Sequence, residues 1–184
     1  MTPIRTLSIC ALLALASAAV TSCIEPPNYP DEPSIEFKSI QSQRVDKITG
    51  TYDTITVSVN FKDGNGDLGL SSDEKNPPYS DRDSQGKVNI FKDNYFFEPQ
   101  IYNESSKAFE PIALPNPDNN YNSRFPRLAP DNRSAPLKGT LSFGQKFFVG
   151  TFPPGATVRF QVSIADRALH VSNKVTTDPI IIPR

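Results

Sequence analysis

Two stretches of the sequence alternate apolar and polar residues with a period of two. In the first, the apolar residues are Ile55, Val57, Val59 and Phe61, and in the second they are Val158, Phe160, Val162 and Ile164. Successive side chains of a β-strand point to opposite faces, so this alternation predicts strands with one buried face. No stretch shows the sustained 3.6-residue period of an amphipathic helix.

Composition supports a chain without long helices. The 184 residues include 18 prolines, and a proline inside a helix removes a hydrogen bond and clashes with the preceding turn. The net charge is −1, so the chain lacks the basic surface that nucleic-acid binding requires. We therefore expect no nucleic-acid partner.

Six weaker strand patterns accompany the two strong ones. They cover residues 35–40, 95–102, 109–114, 137–143, 147–152 and 175–182. Short strands without helices to cover their apolar faces favour two packed sheets. We predict an all-β fold, an antiparallel β-sandwich that forms a single domain over residues 34–184, with long irregular loops at 71–87 and 115–136.

The first 22 residues differ in composition from the rest. Arg5 is their only charged residue, and a short apolar segment runs from Leu7 to Val20. This layout is typical of an export signal, and the segment is too short for a permanent membrane span. We therefore predict a signal peptide at residues 1–22.

The residues Val20-Thr21-Ser22-Cys23 resemble a bacterial lipobox, in which the signal is cut before a cysteine that receives lipid. The alternative is an ordinary signal peptide followed by an unrelated cysteine. Cys10 would leave with the signal, so Cys23 would be the single cysteine of the mature chain. Lipidation of Cys23 accounts for that cysteine and would anchor the chain to a membrane.

Residues 23–33 are predicted to form a tether between the acylated Cys23 and the domain. Four of these residues are proline, which favours an extended, semi-rigid spacer. Ile24 follows the cysteine, where the familiar inner-membrane retention signal has Asp. We therefore expect the anchor to lie in the outer membrane, facing either the periplasm or the cell exterior.

Acidic and glycine residues alternate directly after the first strong strand pattern. We call residues 63–69 the acidic-glycine loop; its oxygen-bearing side chains are Asp63, Asn65 and Asp67. Calcium binds six to eight oxygens, so the spacing suggests a calcium ligand set. The alternative is a tight turn in which these side chains bind their own backbone. In that turn the glycines supply positive φ; they are Gly64, Gly66 and Gly69.

The match to a helix-flanked calcium loop is partial. Glu74 stands at the twelfth position of that pattern, but Leu68 occupies the sixth, where the pattern requires glycine. A full helix-loop-helix calcium site is therefore not expected here.

Three segments in order resemble a family of uncharacterised lipoproteins of Bacteroidetes (Bacteroidota) cell envelopes. They are Phe61–Leu70, Arg124–Leu128, and Val162–Ala168 followed by Ser172-Asn173. In that family one strand ends in an F-x-D-G-x-G-D-L-G loop and a late strand in a D-R-A-x-x-x-S-N turn. Leu169-His170 departs from the residues often found in that turn. The resemblance covers most of residues 34–183 and implies an immunoglobulin-like sandwich, without implying an activity.

In an immunoglobulin-like sandwich the loops after these two strands emerge at the same end. We therefore expect the acidic-glycine loop to face Asp166 and Arg167 across a short gap. In one arrangement Asp166 joins the loop oxygens around calcium, and Arg167 turns away or pairs with Glu74 or Asp73. In the other, Arg167 neutralises the loop with bidentate hydrogen bonds and no ion is needed. The missing glycine at position 68 favours the second arrangement.

Catalytic motifs are scarce in the sequence. His170 is the only histidine, and no G-x-S-x-G elbow or phosphate-binding glycine motif occurs. We therefore expect a protein that is not an enzyme. A carboxylate-based hydrolase is the weaker alternative, because paired carboxylates are recognised only by their geometry.

Aromatic residues supply a second candidate site. An exposed patch for a protein or glycan partner would use Tyr95, Phe97, Tyr121 and Phe125. The alternative is that these rings fill the ends of the sandwich. The functional expectation is a lipoprotein that serves as a non-catalytic accessory or protein-binding subunit of a cell-envelope complex; the alternative is a surface adhesin or glycan-binding module.

Overall fold

The computed structural model describes residues 27–112, 120–129 and 134–184. The predicted signal peptide and the predicted lipid attachment at Cys23 lie outside these residues. In the described part of the chain, no helix has the length and apolar character needed to cross a membrane.

The described chain forms eight strands and one short 3₁₀ helix, Ile90–Lys92. In chain order the strands are β1 (Ser34–Lys47), β2 (Gly50–Asp63), β3 (Tyr95–Asn103), β4 (Ala108–Pro111), β5 (Leu137–Phe148), β6 (Thr157–Ile164), β7 (Val175–Thr176) and β8 (Ile180–Ile181). All strand pairs are antiparallel. This architecture confirms the predicted all-β sandwich.

The strands divide into two sheets. One has the order β1-β2-β5 and the other β4-β3-β6-β7, with β8 also pairing with β6. Labelled as in immunoglobulin domains, these orders read A-B-E and C′-C-F-G. Strands β2 and β6 therefore hold the B and F positions, one in each sheet.

The core lies between the two sheets and is built from the predicted inward rows. The apolar residues of the β2 row and the β6 row are all buried, as their alternation predicts. Aromatic rings fill the centre, where the Phe97 and Phe160 rings stack with centroids 4.7 Å apart. Phe147 reaches the same cluster from β5.

Several predicted strand boundaries were wrong. Residues 137–143 and 147–152 were predicted as two strands, but β5 runs unbroken from Leu137 to Phe148 because it pairs with β2 along its whole length. Strand β1 extends to Lys47 for the same reason. The last predicted strand is divided into β7 and β8, and β4 ends at Pro111.

Candidate functional site

The three sequence motifs meet at one end of the sandwich, which we call the proximal pole because the tether enters there. The backbone of Leu70 donates to Phe125 O at 3.0 Å, and Leu128 donates to Leu68 O at 3.1 Å. Leu68 also forms an antiparallel bridge with Asp166. The acidic-glycine loop is thus bonded to both of the other motifs.

Close backbone approach explains the glycines of this loop. A Cβ on Gly64 would clash with the carbonyl oxygens of Tyr29 and Pro30, which belong to the tether. Gly66 and Gly69 have φ of +73° and +95°, and a Cβ on either would clash with neighbouring backbone. L-residues with side chains rarely adopt such φ values. The loop therefore packs closely against the tether at Gly64, and against the backbone of Ala135 and Pro126 at Gly66 and Gly69.

Three carboxylates converge at this pole, and we call Asp63, Asp67 and Asp166 the carboxylate cluster. Asp63, at the end of the inward row of β2, is fully buried, Asp166 is 2% exposed, and Asp67 is half-buried. One carboxylate oxygen from each lies within 4.8 Å of the others. The expectation that the acidic-glycine loop and the turn after β6 face each other is thus met by these three side chains.

Burial and mutual repulsion govern the charge state of these groups. Burial raises the pKa of Asp63 to about 6, and the neighbouring charge of Asp67 contributes to the increase. Burial also raises the pKa of Asp67, with Asp166 contributing. Charged carboxylates at such distances repel each other, so the cluster favours binding a proton or a cation.

Hydrogen bonds satisfy only some of the carboxylate oxygens. Oδ2 of Asp63 accepts from the Asp67 N–H at 3.1 Å, and Asp166 accepts from the backbone N–H and the ring of His170, both at 2.8 Å. That contact raises the pKa of His170. Oδ1 of Asp63 and Oδ1 of Asp67 are buried with no hydrogen-bond partner among the described residues.

The predicted bidentate bridge from Arg167 is not what the structure shows. Within the described residues, no hydrogen bond or ion pair joins the Arg167 side chain to the three carboxylates, although its charge lowers the pKa of Asp67. The Arg167 backbone instead donates to Asp67 O at 3.3 Å, and its carbonyl accepts from the Tyr79 hydroxyl at 2.5 Å. The contribution of Arg167 to the loop is therefore mainly through its main chain.

Two other side chains of this region have protein partners in the structure. Glu74 pairs with Arg127, through bonds of 2.6 and 3.2 Å, rather than with Arg167 or with the carboxylate cluster. Asn65 uses its side-chain oxygen to accept from the Asp67 N–H at 3.1 Å, which is the tight-turn arrangement. The sequence motif Arg124–Leu128 did not predict a role for Arg127, yet Arg127 forms an ion pair with Glu74.

The four aromatic residues predicted as a binding surface do not form one. Tyr95, Phe97 and Phe125 are at most 1% exposed and belong to the core. Tyr121 is half-buried and its ring packs against Phe147, with centroids 5.0 Å apart. These rings fill the sandwich, because alternation along β3 and the packing of the long loop both direct them inward.

A different aromatic pair lies at the opposite end, which we call the distal pole. Tyr52 and Phe148 pair across β2 and β5 with ring centroids 4.8 Å apart, and Phe148 is 66% exposed. Ile48, in the turn between β1 and β2, is fully exposed nearby in the chain. We call these three residues the distal patch.

A groove adjoins the distal patch on the outer face of the β1-β2-β5 sheet. Its volume is about 280 Å³, and Tyr52 forms part of its wall together with Val45, Lys47, Thr49, Thr54 and Lys146. The surface thus combines apolar rings with two lysines. The distal patch and its groove were not predicted from the sequence. One signal was present, because the adjacent rings Phe147 and Phe148 must point to opposite faces of a strand.

Comparison with known proteins found no matching family model, no matching curated protein and no matching solved structure.

Proposed function

We propose that this chain is a lipoprotein of the outer membrane that serves as a non-catalytic accessory or protein-binding subunit of a cell-envelope complex. In this proposal Cys23 carries the lipid, residues 23–33 form the tether, and the sandwich presents its distal pole to a protein partner. The observation that carries the proposal is the exposed distal patch at the end of the domain opposite the tether.

The placement of the two poles supports this orientation. The tether packs on Gly64 at the proximal pole, whereas the turn between β1 and β2 lies at the other end of two 14-residue strands. At about 3.3 Å per residue, such strands separate the two ends by roughly 40 Å. A membrane anchor at the proximal pole would thus direct the distal patch away from the lipid surface.

The chemistry of the patch favours a protein as partner. Exposed, adjacent apolar side chains are unusual on a soluble surface and commonly mark interaction sites. Tyr52 and Phe148 are the aromatic type enriched in protein interfaces. Lys47 and Lys146 border the groove beside them, which suits a partner with acidic residues at the rim of the contact.

The proposal is tested by affinity capture of the full-length lipoprotein from membranes, with mass spectrometry of the bound proteins. We expect a partner to copurify with the wild type and to be lost with Phe148→Ser, since removal of a central aromatic residue weakens an interface strongly. Ile90→Ser is the matched control, because Ile90 is also exposed (54%) but precedes β3 at the proximal pole.

Equal capture by the wild type and Phe148→Ser would contradict a partner at the distal patch. Polysaccharide binding by the purified protein, lost in Phe148→Ser and kept in Ile90→Ser, would instead favour the glycan-binding alternative.

A further inference from the structure

The carboxylate cluster contains two buried oxygens to which no described protein group donates a hydrogen bond. Asp63 is fully buried, and its Oδ1 has no hydrogen-bond partner among the described residues. A buried carboxylate oxygen without a donor is costly. Oδ1 of Asp67 is also buried without a hydrogen-bond partner among the described residues. The carboxylate cluster thus contains two unsatisfied oxygens.

The spacing of the cluster suits one metal ion. Calcium binds oxygen at about 2.4 Å, so two ligands on opposite sides of it are about 4.8 Å apart. The three carboxylates place one oxygen each within 4.8 Å of the others. Magnesium usually keeps several waters and is held by only one or two protein carboxylates, so a set of three carboxylates suits calcium better.

We propose that Asp63, Asp67 and Asp166 form a binding site for a hard divalent cation, with calcium preferred over magnesium. All three ligands are carboxylate oxygens, the type that such cations prefer. An ion here would give the unsatisfied oxygens of Asp63 and Asp67 a partner and remove the repulsion among the three charges. This site is independent of the distal patch and of its partner.

The ion would connect parts of the fold that are distant in sequence. Asp63 ends β2 in one sheet, and Asp166 follows β6 in the other sheet. Asp67 lies in the loop that carries Gly64, against which the tether packs. Bound calcium would therefore join the two sheets at the proximal pole. It would also stabilise the acidic-glycine loop, against which the tether packs.

The site is tested by thermal unfolding of the full-length protein in detergent at pH 7.5, after removal of metals with EDTA. We expect calcium at about 100 times its Kd to raise Tm by roughly 5–10 °C, because a ligand of the native state stabilises it by mass action. Magnesium at the same concentration should give a smaller shift. The absence of any shift with calcium would overturn the proposal.

Two variants separate the site from general stability. Asp63→Asn should abolish the calcium shift, while its Tm without metal should equal or exceed that of the wild type, because one of three repelling charges is removed. Asp53→Asn is the matched control. Asp53 is the other buried Asp of the β2 row, but it is paired with Arg44 at 2.8 Å. That variant should lower Tm and keep the calcium shift. An unchanged calcium shift in Asp63→Asn would overturn the assignment.

Discussion

Asp53 and Asp63 show how strongly the surroundings of a residue determine its role. Both lie in the inward row of β2 and both are at most 2% exposed. The Arg44 guanidinium donates to both oxygens of Asp53, at 2.8 and 3.0 Å, so that buried charge is neutralised within the protein. Asp63 lies beside Asp67 and Asp166 instead, and burial, with the charge of Asp67 contributing, raises its pKa to about 6. Only the second Asp is therefore available to a ligand.

Glu74 provides a test at the scale of one residue. Its bond with the Arg127 guanidinium lowers its pKa from 4.5 to about 2. A lowered pKa in the folded state stabilises the fold above pH 4.5, and this contribution is lost as the pH falls toward 2. We expect Glu74→Gln to reduce the free energy of unfolding at pH 7 by about 1–2 kcal/mol, since the pair is partly exposed to solvent.

The measurement is urea unfolding of both proteins from pH 7 to pH 3.5. The difference between the wild type and Glu74→Gln should shrink below pH 4.5. Glu104→Gln, at an exposed turn position, should match the wild type throughout. A difference that stays constant with pH would show that the Glu74 charge contributes nothing.

At the scale of elements, β2 organises the domain. It pairs with β1 on one side and β5 on the other, its inward row supplies the core, and its last residue belongs to the carboxylate cluster. Asp53 and Asp63 therefore lie at the two ends of the apolar inward row of β2. Strand β6 has the matching position in the other sheet.

Charge placed in these two rows tests the assigned faces. Val59→Asp and Val162→Asp should each unfold the domain, because both side chains are fully buried and an unpaired buried charge costs several kcal/mol. Thr56→Asp should be tolerated, because Thr56 points to the outer face of β2 and is half-exposed. Circular dichroism at increasing temperature measures the effect. Similar Tm losses in all three variants would contradict the assigned faces.

At the scale of the whole molecule, the two poles have different surfaces. The proximal pole combines the tether, the carboxylate cluster and the three sequence motifs, while the distal pole carries exposed aromatic rings. Residues of the motifs also connect the sheets, since the Asn173 side chain bonds the backbone N–H and carbonyl of Ile35 at 2.9 and 2.8 Å. We infer that the motifs maintain the structure of the proximal pole.

The proposed anchor is tested by Cys23→Ala. This change removes the predicted lipid attachment site, so we expect an unprocessed precursor or a soluble periplasmic form, detected by detergent phase partitioning and by the mass of the product. Cys10→Ala, within the predicted signal peptide, should leave processing and membrane association unchanged. Mature Cys23→Ala protein in the detergent phase would refute the lipoprotein hypothesis.

Strands whose alternating pattern repeats over many residues could be predicted from the sequence. The alternation in β2 and β6 was sufficient to predict both strands and their inward faces, because burial of one face requires a period of two. It also predicted that the loops after them meet, given an immunoglobulin-like order. The signal peptide and the acylation of Cys23 are inferred from a targeting motif rather than from strand periodicity, and they stay predictions.

The partners of individual side chains depend on how the strands and loops pack together. Arg127 rather than Arg167 pairs with Glu74, because packing of the loops brings together two residues that are 53 positions apart in the chain. His170 bonds Asp166 within the turn that follows β6. Pairing with β2 made β5 continuous through residues 144–146, which lie between the two strands predicted from the sequence. The same packing buried Tyr95 and Phe97 and left Phe148 exposed, since alternation predicts opposite faces but not which face another sheet covers.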